Sequence, residues 1–109
     1  MPGYYVLKRS GAQFMFNLKA DNNQVILTSE RYTTKQSAED GIASVRANAK
    51  TDSSYDRRTS TSKQPYFVLK AVNGLVIGTS EMYSSASAME SGIISCKANG
   101  PTSVTKDET

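Results

Sequence analysis

The chain repeats itself. Displaced by 51 positions, it lies over itself without a gap in three segments. Phe16-Asn17-Leu18-Lys19-Ala20 falls on Phe67-Val68-Leu69-Lys70-Ala71, and Thr28-Ser29-Glu30-Arg31-Tyr32 on Thr79-Ser80-Glu81-Met82-Tyr83. Gly41-Ile42-Ala43-Ser44-Val45 falls on Gly92-Ile93-Ile94-Ser95-Cys96. Between residues 16–48 and 67–99, 17 of 33 positions are identical, against roughly two for unrelated sequences of ordinary composition. Upstream the match weakens: Tyr4 and Tyr55 each stand twelve residues before the aligned phenylalanine. A period of this kind marks supersecondary units that share one core. The expectation is one domain over residues 1–109, with repeats at about 4–50 and 55–105 and a polar, frayed tail at 106–109.

Each repeat changes periodicity once. Phe14, Phe16, Leu18 and Ala20 alternate along one face of a strand, as do Phe67, Leu69 and Ala71. Turn residues follow, Asp21-Asn22-Asn23 and Val72-Asn73-Gly74, of which Asn-Gly is a strong two-residue hairpin signal. The return strands are Val25 to Ser29 and Val76 to Ser80, and a further hairpin closes at Ser10-Gly11-Ala12 or Thr61-Ser62-Lys63. A strand is expected at Tyr55-Asp56-Arg57-Arg58-Thr59, the counterpart of Tyr5-Val6-Leu7-Lys8. Beyond Tyr32 the apolar spacing becomes helical: Ala38, Gly41, Ile42 and Val45, repeated by Met89, Gly92, Ile93 and Cys96. Thr33 or Thr34, and Ser84 or Ser85, cap the helix starts, and Thr33 with Gln36 has capping-box spacing. Asn48 and Asn99-Gly100-Pro101 end the helices. One such unit has too little core to stand alone. The fold class is therefore α+β: a tandem duplication of a β-β-β-α unit forming one antiparallel sheet, two helices on one face, related by a pseudo-two-fold like a fused dimer.

Composition narrows the chemistry. The chain has no histidine and one cysteine, which removes the commonest general base and metal ligand and any internal disulfide. No cofactor or metal is expected, and no apolar run is long enough to span a membrane. The start Met1-Pro2-Gly3-Tyr4 has no signal-peptide pattern, so a cytoplasmic location is expected, and the duplication points to a monomer that is an internal pseudo-dimer. Net charge is +3, with seven basic and four acidic residues in 1–50 and six of each in 51–109.

Four features bear on function. Ser29, Glu30 and Tyr32, with Ser80, Glu81 and Tyr83, are retained polar residues that either serve the strand-to-helix junction or line a shared polar groove across the pseudo-two-fold. Gly41 and Gly92 lie on the apolar stripe, where close helix-sheet approach explains them better than phosphate binding. Cys96 matches Val45 and reads as a small buried hydrophobe. Lys8, Arg9, Lys19, Lys35, Arg46 and Lys50 form a candidate basic patch on the first copy, with Lys70 and Lys97 as counterparts.

The pattern F-x-L-K-A-x-N, V-I-x-T-S-E-x-Y and G-I-x-S-V, carried at Phe16–Val45 and Phe67–Cys96, resembles the YegP-like family of small bacterial proteins of unknown function. Asn23 in place of the turn glycine and Cys96 in place of a valine-like residue are small departures. The resemblance implies two β-β-β-α-β units whose last strands are exchanged, giving Tyr55–Thr59 and Thr102–Thr105 that role. It implies no activity, ligand or catalytic residue. The preferred reading is a non-enzymatic binding or interaction module that uses the helix-free sheet face, half apolar if Met15, Asn17, Tyr66 and Val68 point there. The alternatives are nucleic-acid binding through the basic residues and a small enzyme using Glu30 or Glu81 as acid or base.

Overall fold

The computed structural model describes residues 3–109; Met1 and Pro2, the start of the expected domain, lie outside the described residues. The first repeat contributes β1 (Tyr4–Ser10), β2 (Gln13–Lys19), β3 (Val25–Ser29) and α1 (Lys35–Asn48). A single 3-10 turn, Asp52–Ser54, leads into β4 (Tyr55–Thr59), β5 (Pro65–Lys70), β6 (Val76–Thr79), α2 (Ala86–Asn99) and β7 (Thr105–Asp107). The strands form one sheet in the order β4-β5-β6-β3-β2-β1-β7. Tyr5, Leu7, Phe16, Leu18, Phe67 and Leu69 face a core shared with Ala38, Ile42, Val45, Met89, Ile93 and Cys96 of the helices. The alternation and the helical stripe thus meet in one layer, as their periods require.

Equivalent residues pair at the centre. β3 and β6 are joined antiparallel with Thr28 opposite Thr79 and Ser29 opposite Gly78. Thr28 and Thr79 are 51 positions apart, so the pseudo-two-fold passes between them. Each hairpin has the same register shift, between Leu18 and Lys19 and between Leu69 and Lys70.

The sheet is mixed, because β7 runs parallel to β1 (Tyr5 opposite Thr105). The exchange of last strands therefore runs one way. β7 follows α2 and joins the first repeat, whereas Tyr55–Thr59 is the opening strand of the second repeat and pairs with β5 of its own unit. The exchanged strand is Thr105–Asp107 rather than Thr102–Thr105, and it takes in two residues of the expected frayed tail. The Lys35 ammonium meets the Asp107 carboxylate at 2.6 Å. Arg46 donates to the Thr102 carbonyl at 2.6 Å, and the Glu108 amide donates to Leu7 at 2.7 Å. A polar strand is held here by its neighbours, and its own hydrophobicity plays no part.

The turns differ in detail from the expected two-residue form. Asn22 and Asn73 keep negative φ, while Asn23 (φ 68°) and Gly74 (φ 85°) are left-handed. The loops have three residues: Asn23 N–H donates to Ala20, Gly74 N–H to Ala71. This is a turn ending in a left-handed residue, which asparagine tolerates nearly as well as glycine. The N-caps are Thr34 and Ser85, accepting from the amides of Ser37 and Ala88. Thr34 takes the cap position, so the Thr33–Gln36 capping box does not form.

Two tyrosines tie the repeats together. The Tyr5 hydroxyl of β1 donates to the Gly100 carbonyl past the end of α2, at 2.6 Å. The Tyr55 hydroxyl of β4 donates to the Ala49 carbonyl past the end of α1, at 2.5 Å. Each satisfies a carbonyl that a helix end leaves without an intrahelical partner. Tyr5 also packs edge-on against Phe16 (5.9 Å between centroids), as Tyr55 does against Phe67 (5.5 Å). The structural counterpart of Tyr55 is therefore Tyr5, one residue on from the Tyr4 of the displaced alignment, because the β4–β5 connection is one residue longer than β1–β2.

Near the axis, equivalent positions are unequal. A Cβ on Gly78 would lie 2.7 Å from Leu27, its own counterpart, and a Cβ on Gly100 would overlap its counterpart Ala49. One side fills the space and the other leaves it. Gly78→Ala is expected to destabilise the fold by about 1–3 kcal/mol through overpacking. Leu27→Ala in the same chain should remove that penalty, so a denaturant double-mutant cycle should show strong non-additivity.

Burial pushes the Cys96 thiol up to about 11. Burial, and next the neighbouring Cys96, push the Tyr5 and Tyr55 hydroxyls far above the usual tyrosine range. All three pKa values are higher folded than unfolded. Their stabilising contribution is complete below the unfolded values, about 8.5 for cysteine and about 10 for tyrosine, and is lost as pH rises beyond them. The urea midpoint is therefore expected to fall as pH is raised from about 8 to 11, and Cys96→Val should blunt the first part of that fall.

Candidate functional site

The six residues singled out in the two Ser-Glu-x-Tyr segments separate into three roles. Ser29 and Ser80 are buried. Ser29 Oγ accepts from the Phe16 amide at 2.9 Å and donates to the Glu30 carbonyl at 2.7 Å. Ser80 Oγ does the same with the Phe67 amide, at 3.0 Å, and the Glu81 carbonyl, at 2.8 Å. Both hydroxyls splice the end of a strand to its neighbour.

Tyr32 and Tyr83 stack on Phe16 and Phe67, each at 6.3 Å and nearly parallel. Their hydroxyls lie against α1 at Gly41 and α2 at Gly92, where any Cβ would overlap them. The helix glycines are thus explained by the tyrosine rings laid between helix and sheet. Burial first, then the charge of Glu30, raises the Tyr32 pKa. For Tyr83 the order is burial, Cys96 and Glu81. Both phenols stay protonated at neutral pH.

Glu30 and Glu81 are exposed, and their carboxylates enter no hydrogen bond or ion pair among the described residues. They do not share one groove. Two separate clefts form, each between one repeat's Glu-x-Tyr and helix and the other repeat's β-hairpin. Glu81, Tyr83, Ser91 and Ser95 face Asn22 and Gln24 across a cleft of about 480 Å³. Glu30, Tyr32, Asp40 and Ser44 face Asn73 and Leu75 across one of about 660 Å³. Ser29 and Ser80 line neither. No group of three or more metal-ligating side chains occurs among the described residues. Cys96, the one thiol, is buried and held protonated.

The helix-free face holds a second arrangement, invisible in linear order. Strand alternation places Tyr4, Val6 and Lys8 of β1 on that face, with Met15, Asn17 and Lys19 of β2. Asp56 and Arg58 of β4 join Tyr66, Val68 and Lys70 of β5, and Lys106 of β7 stands opposite Val6. Val6, Asn17 and Val68 are buried under their neighbours, so the face is not the half-apolar surface expected. Its strands carry five cations and one carboxylate, Asp56, which is engaged by Arg58 (2.9 Å) and Lys70 (3.4 Å). Carboxylates gather on the opposite side, where Lys35, Arg57 and Lys97 are paired with Asp107, Glu90 and Asp52. The expected patch of Lys8, Arg9, Lys19, Lys35, Arg46 and Lys50 is split. Lys8 and Lys19 share the open face, Arg9 covers Phe14 and Arg46 covers Tyr5. Lys106, unnoticed in the sequence, lies over the Tyr4 ring at 4.4 Å.

These features define a duplicated α+β protein with one helix-covered core. The model of the family described as a domain of unknown function (DUF1508) matches residues 10–56 and 60–107, one match per repeat, and the chain belongs to that family. It is 57% identical over 109 residues to a UPF0339 protein of Bordetella pertussis (strain Tohama I), covering 100% of this chain and 98% of the relative. It is 50% identical over 110 residues to the UPF0339 protein YegP of Escherichia coli (strain K12), covering both chains in full. The solution NMR structure of yegP from E. coli, a protein of unknown function, superposes with a TM-score of 0.95 at 49% identity, over 100% of this chain and 95% of that one. The solution NMR structure of a UPF0339 protein from Shewanella oneidensis gives 0.92 at 48% identity, over 98% and 92%. The relatives carry no assigned function.

Separating the roles gives a direct test. Ser80→Ala leaves the buried Phe67 amide without its partner and should cost about 1–3 kcal/mol. Glu81→Gln should change stability by no more than about 0.5 kcal/mol. Urea unfolding of both variants checks the division.

Proposed function

We propose that this protein is a non-enzymatic cytosolic binding module whose helix-free sheet face holds single-stranded nucleic acid. The observation that carries the reading is the segregation of charge. The strands of one face carry Lys8, Lys19, Arg58, Lys70 and Lys106 with a single carboxylate, Asp56, which engages Arg58 and Lys70 and leaves Lys8, Lys19 and Lys106 without an acidic partner among the described residues. A polyanion gains most from cations that have no acidic partner, because their counterions are released on binding. The Tyr66 ring, and Tyr4 beneath Lys106, lie among these cations, and aromatic rings offer flat surface to unpaired bases, which an acidic polypeptide would not use. The acid–base reading of Glu30 and Glu81 has less support: no histidine, lysine or cysteine lines either cleft.

The test is fluorescence anisotropy with labelled oligo(U) and oligo(dT) at about 50 and 200 mM salt. Affinity is expected to fall with salt. The double variant Lys19→Glu, Lys70→Glu should weaken binding and flatten the salt slope by about one unit per lost contact. Lys50→Glu, off the face, should leave it unchanged. Absence of binding at the lower salt, equal loss in all variants, or equally tight binding of polyglutamate would overturn the reading.

A further inference from the structure

The two clefts on the helix side are equivalent by the internal duplication, and each serves as a control for the other. Glu30/Glu81, Tyr32/Tyr83 and Asn22/Asn73 are retained between them. The differences fall at the mouth. Asp40 of the larger cleft stands where the smaller has Ser91, and Leu75 stands where the smaller has Gln24. Beside Leu75, the hairpin tip carries Val72 in place of Asp21. Leu75 is 67% exposed and Val72 is 96% exposed.

The fold does not require these residues. The first repeat makes the same three-residue turn with Asp21 and Gln24, and the Ala20–Gln24 and Ala71–Leu75 hydrogen bonds are the same. α2 likewise forms with Ser91 where α1 has Asp40. In one cleft of the two, an apolar hairpin tip thus faces a second carboxylate on the helix, Asp40, whereas beside the other the tip carries Asp21 and the helix Ser91. A leucine and a valine on one hairpin tip form apolar surface that gains free energy when a partner covers it. The same cleft holds the Glu30 and Asp40 carboxylates and no lysine or arginine. Asp40 is steadied by the Gln36 amide at 2.9 Å, and the Tyr32 phenol lies against the floor.

We infer that the larger cleft receives a polypeptide segment in which a lysine or arginine is flanked by aliphatic side chains. The cation sits between Glu30 and Asp40. Its aliphatic neighbours cover Leu75 and the Val72 tip, which extends past the cleft itself and beyond the reach of a small cation. This site is on the side of the sheet opposite the nucleic-acid face and stands independently of it.

The test uses the full chain, labelled with nitrogen-15 and titrated with a capped hexapeptide alternating leucine and lysine. A leucine–glutamine hexapeptide and spermidine serve as comparison probes. Shifts are expected at Glu30, Asp40 and Val72–Leu75, and not at Glu81 or Ser91. Asp40→Ser with Leu75→Gln, which gives the larger cleft the residues of the smaller, should weaken binding by about tenfold or more. Ser91→Asp with Gln24→Leu should create a second site at Glu81. The inference is overturned if both clefts shift alike, if the Asp40/Leu75 exchange leaves affinity unchanged, or if the leucine–glutamine peptide binds as well. It is also overturned if spermidine alone reproduces the shifts, or if these residues report self-association of the free protein.

Discussion

At the centre of the sheet the repeats are joined by two residue pairs, Thr28–Thr79 and Ser29–Gly78; their other ladder, β1 with β7, lies at the sheet edge. On either side the strands are tied within their own unit by longer ladders. So short a join does not hold two half-sheets in one plane; antiparallel pairing needs further strands or a packed layer to be stable. The packed layer is supplied by the helices and locked by Tyr5 and Tyr55, which reach from the sheet to the carbonyls past α2 and α1. The single core, the register at the axis and the paired clefts all follow from closing this junction, because each cleft has one wall from each repeat.

Much of this is legible in the sequence. Retention between copies marked Phe16, Leu18, Ile42 and Gly41 with their counterparts, and all are structural. The helical stripe was readable because Ala38, Ile42 and Val45 recur at the period of a helix. What was hidden depended on contacts distant in sequence. Thr105-Lys106-Asp107 has no apolar alternation, and α1 and β1 hold it in place. The longer β4–β5 connection shifts the upstream alignment by one residue and sets Tyr4 over Tyr55, whereas matching the strand Tyr55–Thr59 to Tyr5-Val6-Leu7-Lys8 pairs the right tyrosines.

The site residues divide in the same way. Ser29 and Glu30 are equally retained and equally polar in the sequence, yet one is a buried splice and the other an unpaired surface carboxylate. No linear pattern separates them, because the difference lies in which amide the serine meets across the sheet. The basic face is a matter of parity: Lys8, Lys19, Lys70 and Lys106 fall on one side only once strand pairing fixes register. Counting charges along the chain groups Lys8, Lys19 and Lys70 with Arg46 and Lys35, which belong to the other side, and leaves Lys106 out.

The unequal pairs at the axis, Leu27 with Gly78 and Ala49 with Gly100, bear on the history of the chain. Two copies of the first repeat would bring two leucines into one space, and two copies of the second would leave that space empty. A free half therefore has no good partner in its own likeness, only in its sibling. Fusion allowed this divergence, and the divergence then made fusion hard to undo: like a ratchet, each complementary change bars the return to independent halves. Once bound to stay together, the halves were free to differ elsewhere, and the two clefts have done so.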